Sequence, residues 1–337
     1  MPHSLDGGRA AAFGEALSSG ILRSQILDTG AGGVLLYGGN RQELAPAGLF
    51  ALDSRFERFA RLSLTYAAAV ELGGVGHTVS GNFISGADHL GILFQGNDHL
   101  IERNELARLM LDSADGGAIY TGRDWTSRGT RIRHNFLHDI RPAPGFETKG
   151  IYLDDMASGI AIEGNVFLRV DQAVFIGGGR DNMVTGNVFA ATEPAVHMDS
   201  RGLNDHRAQI ENPDSEMLTR LKAVPYRSAL WQARYPSLAG ILADDPGMAK
   251  RNVLTGNIYL SKTTYDLLAD VDRSQQILAP NLGLADVGPG LLERAGRVQS
   301  ARELGDVLRG ALKNSPLTLL PFESLDRDRR LPAGKVR

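Results

Sequence analysis

The sequence contains no cysteine. That excludes disulfides, thiolate metal sites and a cysteine nucleophile, while leaving the compartment open. It has no apolar run near the roughly 18 residues that a membrane span needs, so no membrane partner is expected. An excess of one charge is also missing. The formal net charge is -3 over 337 residues, which gives no reason to expect nucleic acid or an anionic membrane as a partner. Met1 to Ala12 lacks the charged-then-apolar pattern of an export signal. No GxxxxGK[ST], GxSxG or HExxH pattern occurs, so those chemistries have no motif here. What is abundant is glycine, at 40 residues, set between short β-branched runs rather than in linkers. Many tight turns are implied.

One short pattern recurs: a small or polar residue, then Asn, any residue, and a large apolar residue. It reads Gly81-Asn82-Phe83-Ile84, Arg103-Asn104-Glu105-Leu106, His134-Asn135-Phe136-Leu137, Gly164-Asn165-Val166-Phe167, Gly186-Asn187-Val188-Phe189 and Gly256-Asn257-Ile258-Tyr259. Asp53-Ser54-Arg55-Phe56 is a degenerate copy. Spacings of about 20 to 31 residues suit one coil of a solenoid, and the last gap, from Asn187 to Asn257, must hold something more. Ahead of each Asn runs a second segment: Val70-Glu71-Leu72, Ile92-Leu93-Phe94, Ile119-Tyr120-Thr121, Ile151-Tyr152-Leu153, Val174-Phe175-Ile176 and Val196-His197-Met198. Its first and third residues face inward and its second outward if it is a strand.

Two short strands and an Asn corner, repeated, predict an all-β right-handed parallel β-helix in which each coil covers the apolar edge of its neighbour. The Asn residues then form a stacked amide ladder inside a turn. The expected division is an N-terminal cap at 1–32, weakly helical over 8–28, and coils over 33–204. A helical insertion follows at 205–250, then the last coil or coils at 251–290, and a C-terminal helix and strap at 291–337.

At this point the residues resemble a family. Gly117-Ala-Ile-Tyr-Thr-Gly-Arg-Asp-Trp125, the following His134-Asn-Phe-Leu-His-Asp-Ile140, and Lys149-Gly-Ile-Tyr-Leu-Asp-Asp155 resemble bacterial right-handed parallel β-helix proteins of the pectate-lyase-like superfamily. The likeness is closest to the glycoside hydrolase family 141-like group and covers roughly residues 33–260. It implies a carbohydrate-active protein acting on a polysaccharide or oligosaccharide, with an acidic pair on this face. Members of the group are usually exported and longer than this chain.

The stack also yields a site directly. The outward residues of the first strand form a column, Glu71, Leu93, Tyr120, Tyr152, Phe175 and His197. Its rings form either a flat platform for sugar rings or a patch covered by a loop or by the insertion. Two residues on lies the column Gly73, Gln95, Gly122, Asp154, Gly177 and Asp199. Asp154 and Asp199 are two coils apart, about 9 to 10 Å between backbones. That is close to the roughly 6.5 to 9.5 Å carboxyl separation of inverting glycosidases, which leaves room for a water. A carboxyl flanked by an aromatic such as Tyr152 suits the acid role. Arg123, Asp155, Gly178 and Ser200 make the next column, so Arg123 is expected beside Asp155. Asp155 is either a third acidic participant or a turn residue.

Asp124 and Trp125 suit a sugar subsite or a tucked loop, and Lys149, Arg180 and Arg201 are further candidates for substrate contact. His77, His89, His99, His134 and His138 read as structural, and no metal site is expected. Three functions follow. The first is a glycoside hydrolase using Asp154 and Asp199. The second is a polysaccharide lyase or uronate epimerase using Lys149, Arg123, Arg180 or His197, often with calcium. The third is a non-catalytic carbohydrate-binding β-helix, since the fold alone does not imply catalysis. No cofactor is expected for the first or the third.

Overall fold

A computed structural model describes residues 8–283 and 289–311. Three parallel sheets run the length of the molecule, one of nine strands and two of eight. Each coil contributes one strand to each sheet in turn, giving eight complete coils and the start of a ninth among the described residues. Coil 6 is typical: Lys149–Leu153 in the first sheet, Ala161–Glu163 in the second and Val166–Val170 in the third. Successive strands of one sheet are parallel and joined by crossovers, which wind right-handed. The chain is a right-handed parallel β-helix.

Inward positions of all three sheets fill the core. Ile151, Ile162 and Phe167 come from coil 6 and are fully buried, as are Val174, Val184 and Phe189 from coil 7. Like residues stack on like across coils: the rings of Phe167, Phe189 and Tyr259 lie nearly parallel at 4.9 and 5.1 Å. The Asn ladder runs along one corner. Each rung's backbone N–H and Nδ2 donate to the Oδ1 of the next, from Asn82 through Asn104, Asn135, Asn165, Asn187 and Asn257 to Asn281, at 2.8–3.1 Å. Nδ2 also donates to a carbonyl of the preceding coil, as Asn135 does to Ile101 at 3.0 Å. Each buried amide thus satisfies groups that the corner would otherwise orphan.

The stack begins earlier than expected. Residues 8–28 are not a helical cap. Ala11–Gly14, Gly20–Leu22 and Gln25–Leu27 are the three strands of coil 1. The alanines and leucines there favour a helix weakly, but pairing with coil 2 decides the outcome. Serines replace Asn at this end of the ladder: Ser54 Oγ accepts from Ser24 N at 3.0 Å, and Ser54 N donates to Asn82 Oδ1 at 2.9 Å.

Between Val196–Asp199 and Val253–Thr255 the chain leaves the stack in short helices, including Glu216–Lys222 and Ala229–Arg234. Ser215 and Ser228 cap these two, each accepting from a backbone N–H three residues on. The insertion folds back over the corners that follow the first-sheet strands. There Met217, Leu221, Trp231 and Ile241 bury themselves against Trp125 and Met156. It therefore borders the outer face of the first sheet. Helices Pro289–Arg297 and Ala301–Ala311 cover the outer face of the third sheet, where Leu291, Leu304 and Leu308 meet Val166, Leu168 and Val188. The strap expected toward Arg337 lies outside the described residues.

Candidate functional site

The register of the first sheet places the two outward columns as the repeat implies. Leu93 pairs with Glu71 and Tyr120, Tyr120 with Tyr152, Tyr152 with Phe175, and Phe175 with His197. Gly177 pairs with Asp199 in the second column. Asp154 stands one coil before Gly177, at the end of the Lys149–Leu153 strand, with its N–H on the Thr121 carbonyl at 2.8 Å.

What fills the space between the carboxylates is the guanidinium of Arg201. It donates from Nη1 to Asp154 Oδ1 at 2.8 Å and to Asp155 Oδ1 at 3.3 Å, and from Nη2 to Asp199 Oδ2 at 2.8 Å. Its Nε lies 3.2 and 3.1 Å from the two Asp199 oxygens, and Nη1 also donates to the Tyr152 hydroxyl at 3.2 Å. Gly177 is what admits it, because a Cβ there would stand 2.8 Å from Arg201 Cζ. The column does clear space at glycine, but an arginine occupies that space rather than opening it to solvent. Fork geometry and permanent charge suit arginine to bridging several carboxylates.

The pKa values of the three aspartates are shifted in different directions. Burial, followed by the adjacent Asp155 charge, raises the Asp154 pKa, although Tyr120 Oη donates to its Oδ2 at 2.8 Å. Burial works the same way on Asp199, but hydrogen bonds from His197 and Arg201 outweigh it, and its pKa is lowered. At Asp155 burial is again opposed, here by Arg123, whose Nε donates at 2.6 Å, and by His206 and Arg201; its pKa is lowered too. Arg123 therefore stands where its column predicts.

The aromatic column is not a flat strip. Tyr120 and Tyr152 meet at 79°, and Tyr152 and Phe175 at 67°, which is the edge-to-face geometry that ring quadrupoles favour. Only Phe175 and His197 stack, at 4.1 Å and 23°. All four are buried, under Tyr66, Lys149 and Arg201 among others. As they stand they make a covered patch, not a platform.

Lys149 Nζ lies 5.2 and 5.3 Å from the Tyr152 and Phe175 ring centroids, with Glu147 at 4.0 Å. Burial pushes its amine pKa down.

Three other candidates fall away from this cluster. Trp125 is fully buried under the insertion rather than offered to a ligand. Asp124 turns back onto Thr126, accepting from its N–H at 2.8 Å, and pairs with Arg41. Arg180 is fully buried and grips the insertion, donating to the Asp244 carbonyl at 2.5 Å and the Met248 carbonyl at 2.9 Å. Its role here is to fasten that segment.

Two residues join the cluster that the sequence reading did not name. The Asp266 carboxylate lies 2.7 Å from His197 Nδ1, while His197 Nε2 lies 3.5 Å from Asp199. Asp266 is the next outward residue of the column, and the segment Tyr265-Asp266-Leu267 repeats the strand pattern that marks the others. His206, 3.3 Å from Asp155, comes from the insertion, where no repeat could point to it. Among the described residues no group of three His, Asp or Glu stands where it could share a metal ion. No helix there is long and apolar enough to cross a membrane.

A family model described as "Right handed beta helix region" matches residues 68–213, a span that holds Asp154, Asp155, Asp199, Arg201 and His206. No curated protein and no solved structure matches the chain.

Proposed function

We propose that the chain is a glycoside hydrolase that cleaves a polysaccharide or oligosaccharide, with Asp154 as general acid and Asp199 as general base. What supports this most is a pair of carboxylates on one outward column, bridged by Arg201, whose pKa values are shifted in opposite directions. Asp154 is pushed toward the protonated form by burial and by Asp155, and Asp199 is held ionised by His197 and Arg201. Two neighbouring carboxyls driven apart in this way are what acid–base cleavage of a glycosidic bond requires. Asp154 gives its proton to the leaving oxygen as the bond to the sugar carbon breaks. Asp199 takes a proton from the water that attacks that carbon from the other side. Two coil steps separate the backbones by about 9.6 Å, and the carboxyl oxygens reach toward each other across that gap far enough for one guanidinium to touch both.

Arg201 sets a condition on this scheme. It lies in the space a water would take, so substrate entry must draw the guanidinium off one carboxylate. Asp155, tied to Arg123 and His206, supplies the negative charge that keeps the Asp154 proton in place.

A second reading, proton abstraction beside a carboxylate as in a lyase, draws support from Lys149. Its buried amine has a lowered pKa and, among the described residues, makes no hydrogen bond. The two readings part on their products. A panel of neutral and acidic glycans, incubated with and without a chelator, is assayed for new reducing ends and for absorbance of a new double bond. Hydrolysis gives reducing ends without the absorbance. Absorbance that grows with the reducing ends, and is lost in Lys149→Met but kept in Asp154→Asn, would replace the first reading with the second.

A further inference from the structure

The first-sheet face carries an open pocket well away from the aspartates, over coils 2 to 4. It has a volume of about 200 Å³ and is lined by Leu35, Tyr37, Arg41, Glu71, Gln95 and backbone at Gly73. That is below the roughly 300 Å³ at which sites for drug-sized ligands begin, so it admits about one ring. Tyr37 dominates it. The side chain is 60% exposed, unlike the buried rings of Tyr120, Tyr152 and Phe175. Tyr37 pairs with Gly73 in the next coil, and a Cβ on Gly73 would lie 2.6 and 2.9 Å from the Tyr37 Cδ2 and Cε2 atoms. The ring therefore rests against bare backbone and turns its other side to solvent. A large exposed ring fixed in place loses little entropy when something stacks on it.

The pocket's remaining walls are mixed. Leu35 and Leu93 are apolar and half-buried, while Gln95 is exposed, and its side chain makes no hydrogen bond among the described residues. Glu71 is paired with Arg9, and Arg41 is held by Asn97 and Thr126 at 2.9 and 2.7 Å. A ring face beside apolar edges, an uncommitted amide and fixed charges matches a pyranose, which has apolar C–H faces and hydroxyls around its rim. A purely apolar ligand would leave the charges unused.

Position supplies the link to the aspartates. Tyr37 belongs to the column that leads through Gly73, Gln95 and Gly122 to Asp154. Four coil steps at about 4.8 Å put them roughly 19 Å apart along one straight line. An oligosaccharide spans that distance, and a monosaccharide does not. The geometry points to a distal sugar subsite at Tyr37, which holds one ring of an extended glycan whose scissile bond lies at Asp154. The inference rests on the hydrolase reading for the second of those two positions.

The test uses the full chain carrying Asp154→Asn, so that bound glycan is not turned over. It is titrated calorimetrically with xylohexaose, cellohexaose and hexagalacturonate. Tyr37→Ala in that background should weaken the hexasaccharide that binds by roughly tenfold. Gly73→Val, which drives the ring off its seat, should do the same. Unfolding temperature is measured for each variant, because a loss through misfolding would lower it. A bound hexasaccharide whose affinity is unchanged by Tyr37→Ala overturns the subsite. No binding by any of the three overturns the subsite, while the hydrolase reading is judged by cleavage across the glycan panel. The hydrolase reading fails separately, by binding without cleavage in the chain that retains Asp154.

Discussion

At Asp154 and Asp199 the same burial acts on both carboxyls, and the difference between them comes from their partners. Asp199 has the fork of Arg201 on both oxygens and His197 behind it, while Asp154 shares Arg201 and faces Asp155. The proposed hydrolase mechanism requires ionised Asp199 and protonated Asp154, so on that proposal kcat/KM should be bell-shaped with an acidic optimum. Its acid limb falls below the ordinary aspartate value of 3.8 and its alkaline limb above it.

The linkage to stability has opposite signs at the two residues. Asp199 has a depressed folded pKa, so its contribution is present above 3.8 and is lost as pH falls through the depressed value. Asp199→Asn should therefore flatten the loss of melting temperature below pH 4. Asp154 has a raised folded pKa, and its ionised form costs stability above that value. Asp154→Asn should raise the melting temperature at pH 7, with the difference closing as pH falls and native Asp154 takes up its proton. Arg201→Ala strips three buried carboxylates of their common cation. It should destabilise by about 3 to 5 kcal/mol in denaturant titrations at pH 7, well beyond a surface pair.

At the scale of elements, the Asn corner and the insertion depend on different contacts. Asn135→Ala leaves the Asn104 N–H and Nδ2 without their acceptor and the Ile101 carbonyl without a donor. At about 1 to 3 kcal/mol for each buried group orphaned, a loss near 4 kcal/mol is expected, and Asn135→Ser should lose less. Ser24 and Ser54 already hold this corner in coils 1 and 2, which makes the serine variant a fair comparison.

Trp125→Ala opens a cavity between the stack and the insertion. It should cost about 3 to 5 kcal/mol locally. Hydrogen exchange should quicken across 205–250 while the core strands stay protected, because the coils keep their own interior.

Over the whole molecule, what repeats was legible and what does not repeat was not. The coils, the inward and outward sides, the ladder and the pairing of Arg123 with Asp155 all follow from period and register, which the sequence carries in Asn82 through Asn257. Coil 1 is hard to read because its first strand, Ala11-Ala12-Phe13-Gly14, lacks the β-branched first residue of the later coils and its alanines favour a helix weakly. Arg201 was nameable as a candidate, but its seat over Gly177 was not, because its side chain leaves the column to lie across it. The rings of Tyr120 and Tyr152 were placed correctly in register, while their tilt and burial depend on Tyr66, Lys149 and Arg201 from outside the strand. Trp125 takes the tucked alternative and Arg180 fastens the insertion rather than facing a ligand, because both lie under a segment whose docking no periodicity encodes.

If Asp154 donates a proton to the departing sugar oxygen, as proposed, the cost of removing it depends on the leaving group. Once a cleaved glycan is known, kcat is measured on its natural linkage and on the matching dinitrophenyl glycoside, whose leaving group needs no proton. Asp154→Asn should lose several orders of magnitude on the natural linkage and little on the aryl glycoside, while Asp199→Asn should lose on both. Equal losses in Asp154→Asn on the two substrates, or full activity on the natural linkage, would show that Asp154 is not the proton donor.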